Sequence, residues 1–136
     1  MREPIAKNYS FEDTGEQAGR DFEFGIPPKY ANGANIVAIW TSKAIVGDVL
    51  FRFDYRAVGG DDVETLDQVS PQESVEVIDS APSSPGKRMK AVLPLTDGNF
   101  QPGDTVKIRH IVDGADTRHT MAAVVEIRGL YFEYQI

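Results

Sequence analysis

Two histidines, His110 and His119, are the side chains in this sequence best suited to chemistry. Imidazole titrates near neutral pH and is the commonest protein ligand for zinc. Val106, Ile108, His110 and Val112 share one parity, which predicts a strand with His110 facing inward. Asp113-Gly114-Ala115-Asp116 then reads as a hairpin loop. If Val112 pairs with His119 across that loop, His110 pairs with Met121, and the histidines become diagonal neighbours on one face. Diagonal partners lie roughly 7–8 Å apart at Cα, near enough for two rings to meet one ligand. Zinc would need further ligands, for which Asp113 or Asp116 is placed. The competing reading is two ordinary histidines flanking a turn. The expectation is that they are structural, with no metal and no cofactor bound.

Two other groups invite a chemical reading. Asp61, Asp62 and Glu64 crowd into the loop after Val58 and offer oxygen ligands for a hard cation. Their spacing does not match a helix-loop-helix calcium site, and a solvated acidic loop is the alternative. Arg52, Asp54 and Arg56 alternate along one strand, so they share a face as a surface patch that could read a glycan or a carboxylate. The alternative is a solvated row of ion pairs, worth little energetically. No G-x-S-x-G, H-E-x-x-H or phosphate-binding Gly-rich motif is present, so no catalytic residue is expected and the chain is read as a non-enzyme.

These residues need strands to position them, and the clearest strand run is central. Asn35 to Trp40 is apolar on both parities, which suits a strand covered on both faces. From Asp48 to Ala57 the alternation is strict, with Val49, Phe51, Phe53 and Tyr55 on one side and Arg52, Asp54 and Arg56 on the other. Phe22, Phe24 and Ile26 mark another strand, stopped by Pro27-Pro28. Val75 and Val77 mark the next, then Met89, Ala91, Leu93 and Leu95. Pro102-Gly103 suits the centre of a type II turn. Near the end, Met121, Ala123, Val125 and Ile127 share a parity, but Leu130, Phe132, Tyr134 and Ile136 take the other, with Gly129 at the slip. That predicts a bulge or a corner whose backbone angles suit glycine. Trp40 reads as core rather than as a sugar platform, and Tyr30, Tyr9 and Tyr131 are the better stacking candidates. The total is about eight strands, with no sustained helical period. The fold class is all-β: a two-sheet antiparallel sandwich of the jelly-roll type, with a small closed barrel as the alternative.

Residues 1–20 are polar, with Ile5, Tyr9 and Phe11 as spaced anchors. They read as an extended N-terminal arm whose three anchors contact a neighbouring subunit or a lattice, against a frayed terminus as the alternative. Residues 21–136 then form the sandwich domain.

Composition bounds the partners. A chain of 136 residues without cysteine can bury a single core but has no disulfide or thiolate metal site. A net charge of −7 argues against a nucleic-acid or anionic-membrane partner. No apolar run reaches the ~18 residues that a membrane helix needs.

Several runs together resemble small phage and prophage virion proteins. They are Phe24-Gly25-Ile26-Pro27-Pro28-Lys29-Tyr30, Val37-Ala38-Ile39-Trp40 and Gly47 to Tyr55, then Pro102 to Arg109, Asp116-Thr117 and Leu130 to Tyr134. The likeness spans Asp21 to Tyr134 and rests on turn and strand signatures. It implies a jelly-roll capsid decoration (cement) protein, or a tail or fibre accessory domain, commonly trimeric. The implied role is non-catalytic: stabilising the head lattice as a homo-oligomer, bound to a major capsid protein or another virion protein. A carbohydrate-binding module or a receptor-binding fibre domain is the alternative. The implied location is the virion, after synthesis in the host cytoplasm.

Overall fold

A computed structural model describes residues 1–60 and 70–136. The acidic trio Asp61, Asp62 and Glu64 lies outside the described residues. The strands are β1 (Arg2–Phe11), β2 (Gln17–Gly25), β3 (Asn32–Thr41), β4 (Asp48–Val58), β5 (Glu73–Ser80), β6 (Met89–Pro94), β7 (Thr105–Asp113) and β8 (Val125–Gln135), with one 3-10 turn at Asp97–Asn99. They form two antiparallel sheets of four, ordered β1-β8-β3-β6 and β2-β7-β4-β5.

The order has a simple logic. β4 pairs with β5, β3 with β6, β2 with β7 and β1 with β8, so the chain is one long nested hairpin rolled into two layers. That winding is a jelly roll. Connections after odd-numbered strands meet at one end, where Gly114 N–H donates to Glu16 O, Gly86 N–H to Ser42 O and Ala81 N–H to Gly47 O. Those after β2 and β6 meet at the other, where Ile26 N–H donates to Asp104 O and Leu95 N–H to Ala34 O. The Pro102-Gly103 turn is of type II: Gly103 has φ 88 and Asp104 N–H donates to Gln101 O.

The inward parity of each strand fills the space between the sheets. Ile36, Ala38 and Trp40 of β3 meet Val49, Phe51, Phe53 and Tyr55 of β4 in one core, and both Trp40 and Phe53 are fully buried. The Trp40 indole N–H donates to Asp79 Oδ2 at 2.9 Å, so its polar atom is satisfied. Val37 and Ile39, on the outer parity of β3, are buried too. Val37 sits in the row Pro4, Tyr131, Val37, Val92, in the middle of its sheet. The double-sided burial expected of this strand therefore holds without a third layer.

Residues 1–20 are not an arm. They are β1, the connection 12–16 and the first residues of β2, built into the sandwich. Phe11 is 1% exposed, and Ile5 and Tyr9 pack against the same core, so the three anchors serve their own domain. Two irregularities hide the strand in the sequence. Ile5 is an extra residue between Pro4 and Ala6, and Asn8 has φ 55. Each shifts the phase, so apolar residues do not recur with period two.

The phase slip expected near Gly129 exists as a bulge. Against β3, Gly129 pairs with Ile39 and Ile127 with Trp40, leaving Arg128 as the extra residue. The reason for glycine differs from the expected one. Gly129 does not take a left-handed φ; a Cβ there would stand 2.6 Å from the Tyr131 ring, which lies across it.

Two outcomes follow. Trp40→Ala should cost about 3–5 kcal/mol in denaturant unfolding. Gly129→Ala should cost about 1–3 kcal/mol in the native background and much less in a Tyr131→Ala background. A double-mutant cycle with no coupling would remove the ring as the cause.

Candidate functional site

The two histidines do not meet. β7 and β8 belong to different sheets, so residues 114–124 are a crossing between layers and not a hairpin loop. β8 starts at Val125, and Met121 is buried within the connection instead of pairing with His110. The parity reading placed His110 on the correct face, but parity does not say which strand lies opposite.

His110 is fully buried among aromatic rings. Its neighbours in register are Phe53 on β4 and Arg20 on β2. The imidazole stacks on Phe53 with centroids 4.2 Å apart and meets Phe11 edge-on at 4.8 Å. Its Nδ1 shares a 2.8 Å hydrogen bond with the Tyr9 hydroxyl, which ties one sheet to the other. Its Nε2 has no polar partner. Burial first, and the Arg20 charge second, push the imidazole down to about 3, so it is neutral at pH 7. Burial likewise pushes the Tyr9 hydroxyl far above its usual range, outweighing Arg20. Arg20 itself spans the open side between the edge strands, donating to Ser10 O at 3.1 Å and lying over the Phe11 ring.

His119 lies elsewhere, in the β7–β8 connection, where its Nδ1 accepts from Leu50 N–H at 3.4 Å. Among the described residues no three His, Asp or Glu side chains gather as a metal site.

The expected Arg52, Asp54 and Arg56 patch is part of something larger. The outward parity of β2, β7, β4 and β5 forms rows across the second sheet: Asp21, Arg109, Asp54, Ser74 in one and Gly19, Ile111, Arg52, Glu76 in the next. Glu23, Lys107 and Arg56 make a third. Opposite charges are neighbours at Asp21–Arg109–Asp54, Arg52–Glu76 and Glu23–Lys107, whereas Lys107 and Arg56 are like charges side by side. Arg52 grips Asp54 with two hydrogen bonds of 2.9 and 3.0 Å, and Arg109 reaches Asp21 at 3.1 Å. A Cβ on Gly19 would be 2.5 Å from Arg109 Nε, so the missing side chain makes room for the guanidinium. Arg118, from the β7–β8 connection, binds Glu76 at 2.8 Å and Asp116 at 2.9 Å. Arg56 donates to Ser70 O. The result is a charged face on which Arg52–Asp54, Arg109–Asp21 and Arg118–Glu76 are paired.

A second polar network closes the opposite end of the sandwich, and the sequence hardly signals it. Glu73 accepts from the Tyr55 hydroxyl at 2.7 Å, from Thr96 N–H at 3.0 Å and from the Thr96 hydroxyl. Burial raises its pKa, but these donors outweigh it and leave the carboxyl below its ordinary value. Asp97 takes hydrogen bonds from the Tyr30 hydroxyl at 2.7 Å and Ala34 N–H at 2.9 Å. Both carboxylates are struts engaged by donors. Tyr30 is thereby a core residue and not a stacking platform.

No family model and no curated protein matches the chain. Solved structures do. A chain in the structure of infectious bursal disease virus, Gt strain, superposes with a TM-score of 0.52 at 13% identity, over 97% of this chain and 30% of that one. This chain thus spans less than a third of the viral chain's length. Looser superpositions are a chain of the Gx strain of the same virus, with TM-score 0.47, 11% identity, and 98% and 39% of the two chains covered, and TmCBM61 in complex with beta-1,4-galactotriose, with 0.43, 16%, and 94% and 69%. At these identities the likeness concerns the fold.

His110 makes stability depend on pH with a definite sign. The unfolded imidazole takes a proton below about pH 6.5, while the folded one resists until about 3. Stability is therefore complete above 6.5 and declines as pH falls towards 3. Between pH 7 and 5 the histidine should contribute a loss of about 2 kcal/mol, read as the difference in pH dependence between the native chain and His110→Phe. Equal pH dependence of the two would show that His110 charges without cost in the fold.

Proposed function

We propose that this chain is a non-catalytic structural protein of a virion: a decoration protein that sits on a phage head as a homo-oligomer, a trimer, bound to the major capsid protein. The observation that carries the reading is the charged lattice on the outer face of β2, β7, β4 and β5, presented by a jelly roll that takes up nearly all the described residues. A broad sheet face is suited to bind another broad surface. Several of its charges are already paired, so docking loses less side-chain entropy than it would from a mobile surface. A pattern of both signs sets register and rejects mismatched partners more than it adds raw affinity. The fold likeness to a chain from a virus structure supports the choice of a virion over other assemblies. The N-terminal anchors have no part in this reading, because the domain consumes them.

Native mass spectrometry of the purified chain should show a trimer. Co-sedimentation with phage heads lacking the protein should show binding that weakens as salt rises past ~0.15 M, where the screening length falls to about 8 Å. Asp54→Lys with Arg109→Glu should weaken head binding about tenfold or more and leave the β-sheet circular dichroism unchanged. A monomer that ignores the heads at low salt would refute the proposal.

A further inference from the structure

The seam between β1 and β8 is irregular at one place, where the packing of the core shifts the phase of both strands. Asn8 faces Arg128 at the place where both strands change phase. Lys7 pairs with Gly129 and Tyr9 with Ile127, while Asn8 has φ 55 and Arg128 is the extra residue against β3. The seam opens there into a notch of about 270 Å³, lined by Asn8, Tyr9, Ser10, Glu126, Ile127 and Arg128.

A left-handed residue in mid-strand is a place for glycine, which takes that φ without strain. Asparagine tolerates it better than most, yet a side chain has been kept. That side chain is exposed and makes no hydrogen bond to any described residue. The left-handed backbone accounts for asparagine over most other residues, and it leaves the amide turned to solvent with its donor and acceptor uncommitted to any described residue.

The polar groups around the notch form a mixed set with spare capacity. Arg128 spends one N–H on Glu126 Oε1 in a long bond of 3.4 Å, and its guanidinium is otherwise open. Asn8 offers both a donor and an acceptor, as does the Ser10 hydroxyl. The charges of Arg128 and Glu126 cancel. An anion entering the notch would face the Glu126 carboxylate, and a cation would face Arg128. A neutral ligand with adjacent hydroxyls, each able to donate to Glu126 and accept from Arg128 or Asn8, meets no such repulsion. The volume is just below the roughly 300–1,000 Å³ of small-molecule sites, which suits one ring rather than a chain.

We propose that this notch is a binding site for a single neutral pyranose ring, held by Glu126, Arg128 and Asn8. Tyr9 and Ile127 are turned to the core and form its floor, so no aromatic face stacks on the sugar. Affinity is accordingly in the millimolar range, and several copies on one particle would act together. The site is independent of the charged face on the other sheet.

The test is a titration of the isotope-labelled full chain, followed by amide chemical shifts. Glucose, galactose, mannose and N-acetylglucosamine are added separately at millimolar concentrations, with inorganic phosphate as a separate arm. At least one sugar should shift the amides of Asn8, Ser10, Glu126 and Arg128, and phosphate should not. Asn8→Gly removes the amide while relieving the backbone, so it should melt no lower than the native chain and bind about tenfold more weakly. Glu126→Gln keeps the shape, removes the charge and should weaken binding as well. The proposal fails if no sugar shifts these amides, if Asn8→Gly binds as well as the native chain, or if phosphate perturbs the notch more than every sugar does.

Discussion

Two sheets stay together only while each strand keeps its apolar residues turned inward, and in this molecule that parity is interrupted most consequentially where β8 passes between β1 and β3. β3 runs straight from Ile36 to Trp40, both facing the core. β8 cannot follow it, because Ile127 and Leu130 must both face inward and are three residues apart. The bulge at Arg128 absorbs the odd residue, and β1 meets the same demand with Asn8. Both edges of β8 are thereby fitted to their neighbours. The Tyr131 ring across Gly129 and the notch beside Asn8 are consequences of that one adjustment.

The aromatic cluster at the middle of the sandwich depends on the same alignment. Tyr9 reaches His110 only because Asn8 has turned the strand so that Tyr9 faces in and Lys7 out. A histidine in such surroundings looks costly: burial holds it neutral and one ring nitrogen has no polar partner. It does what phenylalanine could not, however, in giving the buried Tyr9 hydroxyl a partner across the gap between sheets.

How much was legible depended on whether alternation was unbroken. β4 reads cleanly because Val49 to Tyr55 alternate without a slip, and β7 does so from Val106 to Val112. β1 does not, since Ile5 and Asn8 interrupt the period and polar Lys7 falls between apolar anchors. Parity also says nothing about neighbours. His110 and His119 looked like partners across a loop because they are close in sequence, yet every strand pair in this fold is set by position in the nested winding. The Arg52-Asp54-Arg56 row was visible, but its partners Asp21, Arg109, Glu76 and Arg118 come from distant stretches and could not be joined to it without the topology.

The nested pairing also has a kinetic meaning. The β4–β5 pair joins residues close along the chain, whereas the β1–β8 pair joins Arg2 to Glu133. Closing the outer pair alone would bring together segments separated by most of the chain, at a large entropic cost. Each inner pair, once formed, shortens the free chain that the next pair must close. The economical route is therefore a zipper that starts at β4–β5 and ends at β1–β8, and a fold so rich in long-range pairs is a slow one. Under heat or force the order reverses, and the terminal strand with its Asn8 seam is the first part of the roll to leave.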